Sequence, residues 1–165
     1  MFPWGVATVS LEEIMVSGGF SVLGDYVKSP LQSPDLVGIE EYLENARREL
    51  IRSKTNNQSR WLNYFMNSGK DYEHEAFLFL WLSRFVFLSK VGAPIFSIAV
   101  NIARGMRQAL APAVLASIYR DLGSLRKAMI ETGGRNRDIS EIHKLNLWSP
   151  LFFVQVWAWE RMVSL

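Results

Sequence analysis

A chain of 165 residues has room for one core and is short for two. Its balance of 49% apolar and 21% charged residues excludes a disordered chain, and the absence of cysteine excludes disulfides and thiolate metal sites. The net charge of +2 is spread over stretches of mixed sign, so no unbroken basic stripe marks a nucleic-acid reader.

In chain order, Val6–Val9 alternates with small or polar neighbours and predicts a short N-terminal strand. Ser10 then opens a helix. In the tetrapeptide SLEE the Ser10 hydroxyl can cap while Glu13 reaches back, a capping box, and Gly18-Gly19 stops the helix. The segment FSVLGDYV is predicted extended, and KSPLQSPDLVG is a Pro/Ser loop. The first residues lack the cationic and apolar regions of a signal peptide.

From Val37 to Lys54 the pattern is an amphipathic helix with Ile39, Leu43, Ala46 and Leu50 on one face. Its acids lie early and its arginines late, which suits the helix dipole, and Glu44 and Arg48 form a favourable i,i+4 pair. KTNNQS breaks it, and RWLNYFMN predicts a short helix before Gly69. Residues 72–88 form an apolar helix that is too short to span a bilayer and holds Arg84. APIFSIAVNIARGM and LAPAVLASIYRDLGSL predict two more, the latter with Pro112 in its first turn. The polar stretch RKAMIETGGRNRDISE is expected to be a mobile loop, and a last helix starts at Ser149-Pro150 and runs through LFFVQVWAWERM. Three apolar helices in so short a chain are expected to pack on one another. The predicted fold is mainly α, a compact multi-helix domain with a small N-terminal β element.

Several residues could carry chemistry. His74 stands between Glu73 and Glu75, the pairing that tunes many general bases, yet acids at a helix start are favoured by the dipole alone. Two distant histidines, His74 and His143, predict no metal site. Arg84, Arg104, the Arg120-Asp121 pair and the Glu160-Arg161 pair put charge on apolar helices, where it must be paired or reach solvent. The expected arrangement is an ion-pair network with Asp121 and Glu160 as acceptors. Its rival is an anion pocket lined by Arg84, Arg104 and Arg120. Trp148, Trp157 and Trp159 cluster near the C-terminus, and two residues apart on a helix Trp157 and Trp159 must diverge. Either one is exposed for a partner surface or the helix packs on two sides, and the two readings explain the spacing equally well. Phosphate-binding glycine motifs and a nucleophile elbow are absent.

Taken in order, FPWGVATVSLEEIMVSGGFSVLGD, FMNSGKDYEHEAFLFLWLSRFVF, IAVNIARGMRQALAPAVLASIYRDL and LWSPLFFVQVWAWERM resemble the plant mobile domain family. That family is also known as the aminotransferase-like plant mobile domain and includes the Maintenance-of-Meristems-like proteins. The resemblance covers nearly the whole chain and is nearest to the form found in plant transposable elements. It implies a nuclear protein in gene expression, transposon silencing, genome stability and meristem maintenance, with a protein partner in a nuclear complex, such as the family's phosphatase-like relatives. It singles out Trp4, Gly5, His74, Glu75, Trp81, Arg104, Arg120, Asp121, Trp157 and Glu160, with fold maintenance as their role. Two departures stand out. Val6 occupies a place where the family usually has an acid, and the helical segment that normally precedes Pro-Trp-Gly is missing. A partial, N-terminally shortened domain spanning 1–165 is therefore expected, its apolar surface exposed or re-covered by a partner.

No lysine sits in the setting that pyridoxal phosphate needs, so no cofactor and no enzymatic activity are expected. The leading expectation is a transposon-derived interaction module. The alternatives are a nucleic-acid-binding module using Arg47–Arg60 and Arg126–Arg137, a cryptic enzyme around His74, and a non-functional gene fragment.

Overall fold

The computed structural model describes residues 8–27, 29–31, 33–52, 58–66, 69–87, 94–132 and 147–161. Among them the chain is mainly helical: α1 (Leu11–Gly18), α2 (Pro34–Arg52), α3 (Gln58–Phe65), α4 (Glu73–Trp81), α5 (Pro94–Ala103), α6 (Leu110–Thr132) and α7 (Phe152–Arg161). A π-helical turn, Leu82–Val86, continues α4. The chain falls into two compact units, one of residues 1–22 and 110–165 and the other of residues 23–109.

The first unit is built on α1. Its capping box is formed in full, Glu13 N–H donating to Ser10 Oγ at 3.3 Å and Ser10 N–H to Glu13 Oε2 at 2.7 Å. Gly19 ends the helix in the left-handed region at φ 65°, a cap that glycine adopts without a Cβ penalty. Helix α1 packs on α6 and α7 and buries Ile14 completely. Behind it Phe20 meets the edge of Phe153 at 5.8 Å between centroids. Gly18 makes room for this pair, since a Cβ there would lie 2.6 Å from the Phe20 ring.

No strand is present among the described residues, so the expected β element is not seen. Val6 and Ala7 lie outside them, while Thr8 and Val9 belong to no ladder. The Val9 carbonyl and the Thr8 hydroxyl meet a side chain instead. The Tyr119 hydroxyl donates to the Val9 carbonyl at 2.6 Å and lies 2.7 Å from Thr8 Oγ1, so the segment is tied to α6. FSVLGDYV is likewise no strand, and gives only a single parallel bridge between Asp25 and Gln108.

Three boundaries also differ from expectation. Helix α2 starts at Pro34, inside the segment KSPLQSPDLVG predicted as a Pro/Ser loop. Helix α6 runs on to Thr132, seven residues into the stretch predicted as a loop, because Leu122, Leu125 and Ala128 continue the half-buried face begun by Val114 and Ile118. The remainder of that stretch, and His143, lie outside the described residues. Helix α7 starts at Phe152 rather than Ser149, since the Trp148 and Ser149 amides are bound by Asp121.

The second unit centres on α5, whose Ile95, Phe96, Ile98, Ala99 and Val100 are all buried. A helix apolar nearly all round must be covered on more than one side, and α2 and α4 both pack on it. Helix α2 shows its predicted face, with Ile39, Leu43 and Ala46 buried. Trp61 of α3 joins the layers. Its indole N–H donates to the Ala76 carbonyl at 2.9 Å, and its ring lies 4.8 Å from Phe65, 4.9 Å from Phe79 and 6.2 Å from Phe96. The packing expected among three apolar helices is thus found between α4 and α5, whereas α6 packs on α1 in the first unit.

Gly24 holds the lone bridge. It sits at φ 137°, and a Cβ would lie 2.4 Å from the Arg107 carbonyl oxygen, whose acceptor role for the Asp25 amide (2.8 Å) depends on this approach. Gly24→Ala is expected to destabilise the protein by about 2 kcal/mol or more through backbone strain alone. Urea unfolding of the two proteins measures it.

Candidate functional site

Three carboxylates anchor the elements named by the sequence motifs. The first is Glu13. Besides closing the α1 cap, it accepts from Arg161 Nη2 of α7 at 2.9 Å and from the Trp157 side chain one turn earlier. Burial pushes its carboxyl up, but the Ser10 and Trp157 hydrogen bonds and the Arg161 charge hold it below the ordinary carboxylate value. Four motif residues, Ser10, Glu13, Trp157 and Arg161, therefore meet in one tie between α1 and α7. Glu13, not Glu160, is the acceptor here. Glu160 is exposed and takes part in no ion pair among the described residues.

The second is Asp121, 3% exposed on α6. Its Oδ2 accepts the amides of Trp148 at 2.6 Å and Ser149 at 2.7 Å, and Oδ1 lies 3.1 Å from Arg120 Nε. Burial pushes the carboxyl up, and the bonds from Ser149, Trp148 and Arg120 bring it below its ordinary value. The Arg120 side chain is largely exposed, so it contributes little beside the two amides. The third is Glu75 of α4, buried and paired at 3.2 Å with Arg104 just beyond α5. The expected single network is thus three separate ties, each inside one unit. Arg84 and Arg104 belong to one unit and Arg120 to the other.

His74 is exposed in the first turn of α4, on the rim of a cavity of about 430 Å³ between α3 and α4. Trp61, Phe65 and Ala76 form its buried floor, while Met66 and Phe77 flank the mouth. Glu73 and His74 are its only polar lining residues, and no arginine reaches it among the described residues. A wider groove of about 1070 Å³ holds Arg104 with Asp35, Asp71, Tyr42 and Tyr72. Tyr72 has a positive φ of 66° and meets Tyr42 edge-on at 5.4 Å. No group of three or more His, Asp or Glu that could hold a metal occurs among the described residues. Nor is any described helix long and apolar enough to cross a membrane.

The aromatic motif residues separate as their spacing demands. Trp157 is half-buried against Glu13, whereas Trp159 is 66% exposed, and Trp81 and Trp148 are half-buried. Arg84 is exposed, 5.8 Å over the Phe85 ring. In the basic stretches, Arg48 pairs with Glu44 at 2.7 Å as predicted, Arg47 is half-buried, and Arg60, Arg126 and Lys127 are exposed. Trp4 and Gly5 lie outside the described residues, as does the end of Arg126–Arg137. Sequence reasoning missed Trp61 and Glu40. Glu40 is half-buried at the α2–α5 contact, where burial raises its carboxyl value against a hydrogen bond from Ser97. The isolated tryptophan and the glutamate of a polar helix face carried no signal of either role.

No curated protein and no solved structure matches the chain. The profile of the plant mobile domain family matches residues 1–165, its whole length, and covers Glu13, Glu75, Asp121 and the aromatic residues of α7 together. The chain belongs to the plant mobile domain family.

Proposed function

We propose that the chain is a non-enzymatic, transposon-derived interaction module of a nuclear complex, serving gene expression, transposon silencing, genome stability and meristem maintenance. The observation that carries this reading is the outer face of α7. Phe152, Gln155 and Trp159 follow one another at i, i+3 and i+7 and are all exposed, Trp159 by 66%. The opposite side of the same helix is held by Trp157 and Arg161 against Glu13, which turns the exposed face away from α1. Large aromatics are the residue class that dominates protein–protein contacts. The proposed partner is a protein of a nuclear assembly, and the phosphatase-like relatives of the family are the first to test.

Affinity purification from plant nuclei with the wild-type chain and Trp159→Ala tests the reading. Loss of a specific partner from the variant by tenfold or more, with an unchanged melting temperature, is expected. Equal recovery by both chains would overturn it. Retention on DNA that falls steeply with salt would instead favour the basic stretches as the working surface.

A further inference from the structure

The outer face of α4 and its π turn carries a second, independent surface. Glu73, Phe77, Arg84 and Phe85 are exposed along it, Phe77 by 55% and Phe85 by 48%, while Phe79, Leu82 and Val86 are buried on the other side. The acid stands at the first turn and the arginine at the last, about 16 Å apart at the α-helical rise. A continuous α-helix would carry Phe85 about 80° round from Phe77. The π turn, closed by the Phe87 amide on the Leu82 carbonyl at 2.9 Å, advances less per residue and sets Phe85 back toward the Phe77 line.

Such a face is complementary to itself. Rotated by a two-fold axis across its middle, it meets its own copy antiparallel, with Glu73 opposite Arg84 at both ends. We propose that a second copy of this chain docks in this way. In that register Phe85 of one copy stands level with Tyr72 and Glu73 of the other, where the cavity of about 430 Å³ opens. The cavity suits an aromatic ring. Its floor is Trp61, Phe65 and Ala76, and the Trp61 N–H is already committed to the Ala76 carbonyl, so an apolar occupant leaves no donor unsatisfied there. Symmetry makes the exchange reciprocal, one Phe85 ring into each cavity.

One helix pair with two inserted rings lies at the small end of specific interfaces, so the association is reversible and concentration-dependent. It does not rest on the α7 reading, and either can fail alone. Sedimentation equilibrium of the full chain tests it. The wild type is expected to pass from monomer to dimer, and E73R, R84E and F85A each to raise the midpoint concentration about tenfold or more. Mixing E73R with R84E brings an all-basic face against an all-acidic one and is expected to restore the dimer, as is the double reversal E73R/R84E in one chain. A wild type that stays monomeric up to about 1 mM overturns the proposal. So does unchanged dimerisation of the single variants, or failure of both the mixture and the double reversal to recover it.

Discussion

Asp121→Ala is expected to destabilise the protein by about 3 kcal/mol, because two charge-assisted hydrogen bonds are lost and two amides are left without their acceptor. The carboxylate is 3% exposed and receives the Trp148 and Ser149 amides at 2.6 and 2.7 Å, so solvent has little access to replace it. Asp121→Asn keeps the shape and one acceptor oxygen and is expected to lose less, with a distinct effect of pH. The folded-state value of Asp121 is lowered, so its stabilisation is fully present above the unfolded value of about 3.9. It is lost as the pH falls through the lowered folded value. In Asp121→Asn that part of the acid dependence disappears. Glu40 acts with the opposite sign: its raised value favours the folded state below the ordinary glutamate range, and that contribution is lost as the pH rises through the raised value. Thermal unfolding between about pH 2 and 7, a range that brackets the ordinary carboxylate values of about 3.9 and 4.3, resolves the two. Equal acid sensitivity of wild type and Asp121→Asn would count against the role assigned to Asp121.

Phe96→Ala is expected to cost about 3–5 kcal/mol, the range for truncating a fully buried phenylalanine. Phe96 is 0% exposed and stacks on Phe79 at 4.0 Å between centroids with 9° between planes, beside Trp61. Removing the ring opens a cavity where α3, α4 and α5 supply their aromatics. Phe96→Leu retains most of the volume and is expected to lose well under half as much. Urea unfolding followed by tryptophan fluorescence reports both, since Trp61 lies in the affected cluster. A loss below about 1 kcal/mol in Phe96→Ala would show that the aromatic cluster does not organise this unit.

The helices were legible where a local rule acts alone. Ser10 and Glu13 form a capping box because the two residues that make it are three apart. Ile39, Leu43 and Ala46 share a face because their spacing follows the helical period. The divergence of Trp157 and Trp159 has the same origin. The strand expected at Val6–Val9 is not seen at its described residues, Thr8 and Val9, for the opposite reason. Alternation shows that a segment could join a sheet, but only the fold supplies a partner strand, and here Tyr119 satisfies the Val9 carbonyl instead. The loop expected from Arg126 is helix as far as Thr132, because a polar composition outweighed a helical register that Leu122, Leu125 and Ala128 still carry.

The charged residues divide in the same way. By itself the sequence determined that the helical charges need partners, that the chain can hold neither disulfide nor thiolate metal site, and which family its ordered motifs belong to. Which acid meets which base was decided by the tertiary structure. Glu13 reaches Arg161 across 148 positions, Asp121 binds amides 27 and 28 residues away, and Glu75 takes Arg104, while Glu160 is left in solvent. Burying a carboxylate requires donors close by in space, and packing brings those donors together from segments that no local spacing rule connects.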